Sequence, residues 1–145
     1  MRRRAFLALL ALAAHVAVAA VSMAAPAQFV IIVHASNPAA SVNRKFLADA
    51  FLKKTTRWDH GETIKPVDQV PDSSVRRTFS EQILKRSVAA VRSYWQQVIF
   101  AGNGVPPPEL NADDDVVQYV LKHVGAVGYV SSTANLNGAN VVTID

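Results

Sequence analysis

The sequence predicts an α/β domain with a small mixed sheet flanked by helices. Three observations lead there. QFVIIVH (28–34) is a short, continuous, β-branched apolar run, the pattern of a strand buried on both faces. The middle of the chain carries apolar residues at three- and four-residue steps, the pattern of helices packed by one face. Two further short apolar runs, AVGYVS and NVVTID, close the chain as strands.

Taken in order, the first strand ends in ASNPAAS, a polar turn containing Pro38. Ser41 is the expected N-cap of a helix through VNRKFLADAFLKK, with Phe46, Leu47, Ala50 and Phe51 on its buried side and Asp49 paired with Lys53 outside. A turn around Asp59, His60 and Gly61 then leads to a second short strand at 64–67. Beyond it, VDQVPDSSVRRTF (67–79) passes through a Pro/Asp/Ser turn into a helix buried by Val75, Phe79 and Ile83. SVAAVRSYWQQVIF repeats the stripe with Val91, Tyr94, Trp95, Val98 and Ile99, a core pattern rather than a cofactor box. AGNGVPPPEL breaks the helical run. Asn111 is the expected cap of a last helix, whose Asp113, Asp114 and Asp115 suit the positive end of its dipole and whose Val116, Val117, Val120 and Leu121 face inward until Gly125. The expected order is β, α, β, α, α, α, β, β, with the loops after the strands as the ligand rim.

The N-terminus sets the expected compartment. Arg2, Arg3 and Arg4 precede an apolar run over 5–21 and small residues that offer cleavage near 24 or 27, the three-part pattern of a secretory signal peptide. A permanent anchor is the alternative, because the run reaches the lower edge of a membrane span. The expected organisation is a signal peptide at 1–27 and one domain at 28–145, in the periplasm or secreted. The net charge of +4 includes those three arginines; the remaining 12 Lys and Arg face 11 Asp and Glu, a net of +1. The pI near 9.7 therefore belongs mostly to the leader, and no nucleic-acid partner is expected. With no cysteine, an exported domain must rest on its core alone.

Chemistry-bearing patterns are sparse. His34, His60 and His123 lack a second ligand at metal-site spacing, and the aspartate run lacks the alternation and glycine of a calcium loop, so no metal and no cofactor is expected. No nucleophile elbow or comparable setting occurs, so no catalytic residue is assigned and no enzyme is expected. Trp58, beside Asp59 and Gly61, reads as an aromatic anchor of its turn; exposed, it would suit a partner surface.

SNPAAS followed by a helix ending LADAFL, then RWDHG, PVDQVPDSSVRRTF, YWQQVIFAGNG and GAVGYV, in that order, resemble the successive blocks of the phosphate-type solute-binding domain of the type II periplasmic binding protein superfamily. The resemblance covers about 28–143 and implies a single lobe of that fold, where full-length members are two-lobed clamps closing on phosphate. It implies a small, phosphate-like oxyanion as ligand and, as partners, a membrane transporter of the ABC type, a sensor or a second lobe. The family's phosphate loop has an arginine four positions before Ser-Gly-Thr at a helix start. Here Ser73 matches the serine, while Gln69, Ser74 and Val75 stand in place of the arginine, glycine and threonine.

Two readings of this junction follow. In one, Asp72 or Ser73 is only an N-cap, worth about 1 kcal/mol, with Arg76 and Arg77 on the solvated face. In the other, Ser73, Ser74 and the amides after them form an anion cradle, with Arg76 reaching back one turn to replace the lost charge. Ser36 and Asn37, on the first strand-to-helix loop, share the expected rim with Gln69. The corresponding functions are an exported oxyanion-binding module that performs no chemistry, and an interaction module whose ligand site has decayed and whose clamp face docks on another protein or on a copy of itself.

Overall fold

The computed structural model describes residues 28–145; the predicted export segment, 1–27, lies outside them. Its centre is a five-stranded mixed sheet in the order β2 (Ser41–Val42), β7 (Asn140–Ile144), β1 (Phe29–Val33), β6 (Ala126–Ser131), β3 (Lys65–Pro66). β1 runs antiparallel to β6 and β7, pairing Ile31 with Tyr129 and with Val142. β2 and β3 join the two sides in parallel. β4 (Asp68–Gln69) and β5 (Glu109–Leu110) form a separate parallel pair.

The central strands are buried on both faces, as the apolar run at 28–34 requires. Ile31 and Val33 of β1 and Val127 and Tyr129 of β6 face one core, with α1 (Arg44–Phe51), α2 (Ser74–Phe79) and α3 (Val88–Phe100). Ile32, Ala126 and Val130 face a second core under α4 (Asp113–Lys122). The strand period of two thus assigns alternate residues to two layers of helix. Gly128 belongs to the α4 face, where a Cβ would stand 2.7 Å from Val116 Cγ1 and 2.9 Å from Val67 Cγ1. Its missing side chain lets α4 lie close on the sheet. Gly125, at φ +85°, turns the chain from α4 into β6; a Cβ there would stand 2.1 Å from the Thr63 carbonyl oxygen.

Several local expectations are corrected. Ser41 is not a helix cap but lies in β2; Asn43 caps α1, its side chain accepting from the Lys45 amide. The outward ion pair on α1 joins Lys45 to Asp49 at 2.5 Å, whereas Lys53 lies beyond the helix at φ +53°. The strand expected at 64–67 is two short strands, β3 and β4, in different sheets. Asn111 does not cap α4: Ala112 holds that position without a side-chain bond, and the helix starts on its three aspartates. α2 runs on into a π-helical turn at Ser80–Leu84, ended by Lys85 at φ +54°. On α3, Val91 and Trp95 are buried, but Ile99 is 51% exposed.

Trp58 is 4% exposed and donates from Nε1 to the Gly125 carbonyl at 2.9 Å, so it anchors its turn rather than offering a partner surface. Among the described residues no helix is long and apolar enough to cross a membrane.

Gly128→Ala should destabilise the domain by about 1–3 kcal/mol, because its methyl group would overlap Val116 and Val67, both fully buried. Urea unfolding of the purified domain checks this, the expectation being a lower midpoint with an unchanged slope.

Candidate functional site

The rim residues fall into two groups. β4 and the N-terminus of α2 bring Gln69, Ser73 and Arg76 together. Ser73 caps α2, its Oγ accepting the Arg76 amide at 3.2 Å, and its hydroxyl donates to Gln69 Oε1 at 2.7 Å. Gln69 Nε2 donates to Asp113 Oδ1 at 3.0 Å and to the Tyr129 carbonyl at 2.9 Å. The carboxamide that replaces the family's arginine therefore ties α2, α4 and β6 together.

Arg76 is not on the solvated face. It is 3% exposed, and its Nη1 donates to the Gln69 carbonyl and lies 3.0 Å from Asp68 Oδ1. It reaches back across the helix start, but toward a carboxylate of this chain. Arg77 is exposed and donates to the Asp72 carbonyl at 3.0 Å, while Asp72 itself is not the cap. Ser74 is exposed, and its amide and that of Val75 are first-turn donors that helix geometry leaves without intrahelical acceptors.

Ser36 and Asn37 bond within their own loop. Ser36 Oγ is 2.7 Å from His34 Nδ1, and Asn37 Oδ1 accepts the Ala39 amide at 2.9 Å. Asn37 is 7% exposed and its Nδ2 has no partner. No hydrogen bond among the described residues joins this loop to the group around Ser73.

Behind the rim lie three residues that the sequence reading passed over. The Tyr129 hydroxyl donates to Asp68 Oδ1 and accepts the Gln69 amide at 3.2 Å. Its ring stacks on Phe79 at 3.8 Å between centroids, which fixes the hydroxyl over the β4 carboxylate. Asp113 accepts from Gln69 and from the Ser131 amide, so one of the helix-dipole aspartates also buttresses the rim. Burial raises the Asp68 carboxyl to about 6, against the pull of the Arg76 guanidinium and the Tyr129 and Gln69 hydrogen bonds. Burial and the Asp68 charge hold the Tyr129 phenol above its ordinary value, so it stays a donor. The available signal was an Asp flanked by Val67 on a short buried β segment, and a Tyr at an inward strand position.

Two concavities flank these groups. One, of about 460 Å³, opens between the Pro38–Asn43 region and the turn of Trp58, Asp59 and His60, with Phe46 on its wall. The other, of about 150 Å³, lies between the α2 start and α3 and is lined in part by Arg76.

A family model described as PBP superfamily domain matches residues 21–144. The chain belongs to that family. Its fold is similar to that of an ABC-type phosphate transport receptor from Vibrio cholerae (TM-score 0.63, 18% identity), covering 80% of this chain and 45% of the receptor. It is also similar to a phosphate-bound structure from Clostridium perfringens, assigned as a phosphate ABC transporter substrate-binding protein (TM-score 0.64, 20% identity, 81% and 44% covered). PstS from Borrelia burgdorferi gives a TM-score of 0.61 at 8% identity, with 81% and 47% covered. At these identities the likeness is one of fold, and the chain spans less than half the length of each of these proteins. No curated protein sequence matches it.

The raised Asp68 carboxyl gives a signed pH dependence. Its folded value, near 6, exceeds the ordinary 3.8, so the native state holds this proton more tightly than the unfolded chain does. The stability it contributes is complete below about 4 and is lost as the pH rises through 6. Asp68→Asn should remove that slope: unfolding free energies measured between pH 4 and 7 should show the variant gaining on the wild type as pH rises.

Proposed function

We propose that this chain is an exported, phosphate-type solute-binding domain that takes a small oxyanion reversibly on its strand-to-helix rim and performs no chemistry. Membership of the PBP superfamily, with fold neighbours named as phosphate receptors, is the observation that carries this reading. The contacts open to an oxyanion are the first-turn amides of Ser74 and Val75 and the hydroxyl of Ser74, with Ser73 holding the helix start as its cap and Ser36 and Asn37 on the neighbouring loop. Gln69 and Arg76 act from behind, the first by orienting the Ser73 hydroxyl and the second by holding the helix start against β4. An ion bound here by one lobe keeps a solvated side, so its contacts act in a high dielectric and the affinity is modest. The arginine-rich segment read as a leader supports a periplasmic location, where a transporter or sensor in the membrane is the natural partner.

A second reading has its own observation. Gln69, Ser73 and Arg76 already satisfy one another, and Ile99, Phe100 and Val105 are 51%, 96% and 62% exposed around the end of α3. A lobe with an internally satisfied cradle and an apolar edge fits an interaction module docking on a second lobe, a copy of itself or a membrane protein.

Thermal unfolding of the domain without its leader, in millimolar phosphate, sulfate or chloride at constant ionic strength, separates the two. At about 100 times its dissociation constant, phosphate should add roughly 2.7 kcal/mol, a shift of several degrees. Ser73→Ala should lower the baseline by about 1 kcal/mol through the lost cap and abolish the phosphate-selective shift. No shift beyond the salt control would leave the interaction module standing, and sedimentation would then test self-association.

A further inference from the structure

The 150 Å³ concavity between the α2 start and α3 is more than a packing defect, because a buried cation is left half-used on its wall. Arg76 places both of its described bonds, to Asp68 and to the Gln69 carbonyl, on Nη1 alone. Its Nε is buried without a partner. The Nε–Nη2 edge of a guanidinium is a pair of parallel donors matched to two oxygens on one centre. A buried donor left without an acceptor is a cost to the native state that a fitting acceptor removes.

The remaining lining selects among anions. Arg92 joins Arg76 on the wall and has no ion-pair partner among the described residues. Two carboxylates oppose them: Asp68 behind Arg76, and Glu109 with Oε2 4.0 Å from Arg76 Nη1. Two positive charges against two negative ones tolerate a single added negative charge better than a double one. Pro71, Val88, Trp95, Ile99 and Pro106 give the wall surfaces suited to hydrocarbon, with the Gln96 carboxamide as its one uncharged polar side chain. The volume corresponds to about five waters at ~30 Å³ each, room for a molecule of a few heavy atoms.

We infer that this groove is a binding site for a small monocarboxylate, the carboxylate held by the Arg76 guanidinium with Arg92 alongside, and a short alkyl tail on Trp95 and Ile99. The site is distinct from the Ser73 and Ser74 hydroxyls and the first-turn amides, none of which lines it. It stands whether or not the rim holds an oxyanion.

Trp95, one of two tryptophans in the chain, reports occupancy directly. Butyrate, its uncharged isostere butyramide, phosphate and chloride are titrated against the leaderless domain at constant ionic strength while fluorescence is followed. Butyrate should give a saturable change, absent with butyramide and absent in Trp95→Phe. Glu109→Gln, which removes the opposing charge at an exposed position, should tighten butyrate binding by about two- to fivefold, and Arg92→Ala should weaken it by a similar factor. Three results would each overturn the inference: butyramide acting like butyrate, phosphate competing as well as butyrate, or affinity unmoved in both Glu109→Gln and Arg92→Ala. Loss of the phosphate-induced thermal shift in Ser73→Ala does not bear on this site, so the two ligand assignments stand or fall separately.

Discussion

The buried pairing of Asp68 with Arg76 is the interaction on which the ligand side of this lobe depends. Both side chains are about 95% removed from water and lie 3.0 Å apart, one on β4 and the other on the first turns of α2. Taking two charges out of water costs several kcal/mol each, which their attraction offsets only when hydrogen bonds complete the set. Here the Tyr129 hydroxyl and the Gln69 amide complete the carboxylate, and the Gln69 carbonyl shares the guanidinium. The position of α2 is thus set by electrostatics as well as by Phe79, which stacks on the same tyrosine. Without Arg76, the Asp68 carboxylate would face the full cost of burial.

That pair also explains the form of the rim. A glutamine where the resembled family has an arginine adds no charge, so its carboxamide can be spent on Asp113, Tyr129 and Ser73. The cation of the neighbourhood sits seven residues later, on α2, facing inward. What faces outward is a helix start with first-turn amides and the Ser74 hydroxyl, and Arg76 shares the wall of the groove with residues of α3. Oxyanion capture at the rim and carboxylate capture in the groove both follow from one displacement of positive charge.

Much of the architecture was legible in the sequence because burial has a period. β1 and β6 alternate between two cores, β7 turns Val142 and Ile144 to one of them, and Val75, Phe79 and Ile83 recur at the helical step, so both element type and inward face could be read. The two-residue strands β2, β4 and β5 were not legible, since two residues carry no period. The cap at Ser41 failed for a related reason: β2 takes Ser41 and Val42 into strand pairing, and Asn43 caps α1 instead, while the cap position of α4 falls one residue past Asn111, at Ala112. At the site, Ser73 as a cap was legible from Pro/Asp/Ser turn chemistry. The inward course of Arg76 was not, because the groups that draw it in, Asp68 and Tyr129, are 8 and 53 residues away in sequence or on another strand. Long-range pairing of polar groups leaves no local pattern.

The most direct test of the ion pair's role is a double-mutant cycle with Asp68→Asn and Arg76→Met, read as unfolding free energies at pH 7. Arg76→Met should cost about 3–5 kcal/mol by stranding the buried carboxylate, and Asp68→Asn, an isostere of the protonated acid, should cost less. The double variant should be less destabilised than the sum of the two by at least about 1 kcal/mol. Additivity within about 0.3 kcal/mol would contradict the account and return α2 to apolar packing alone.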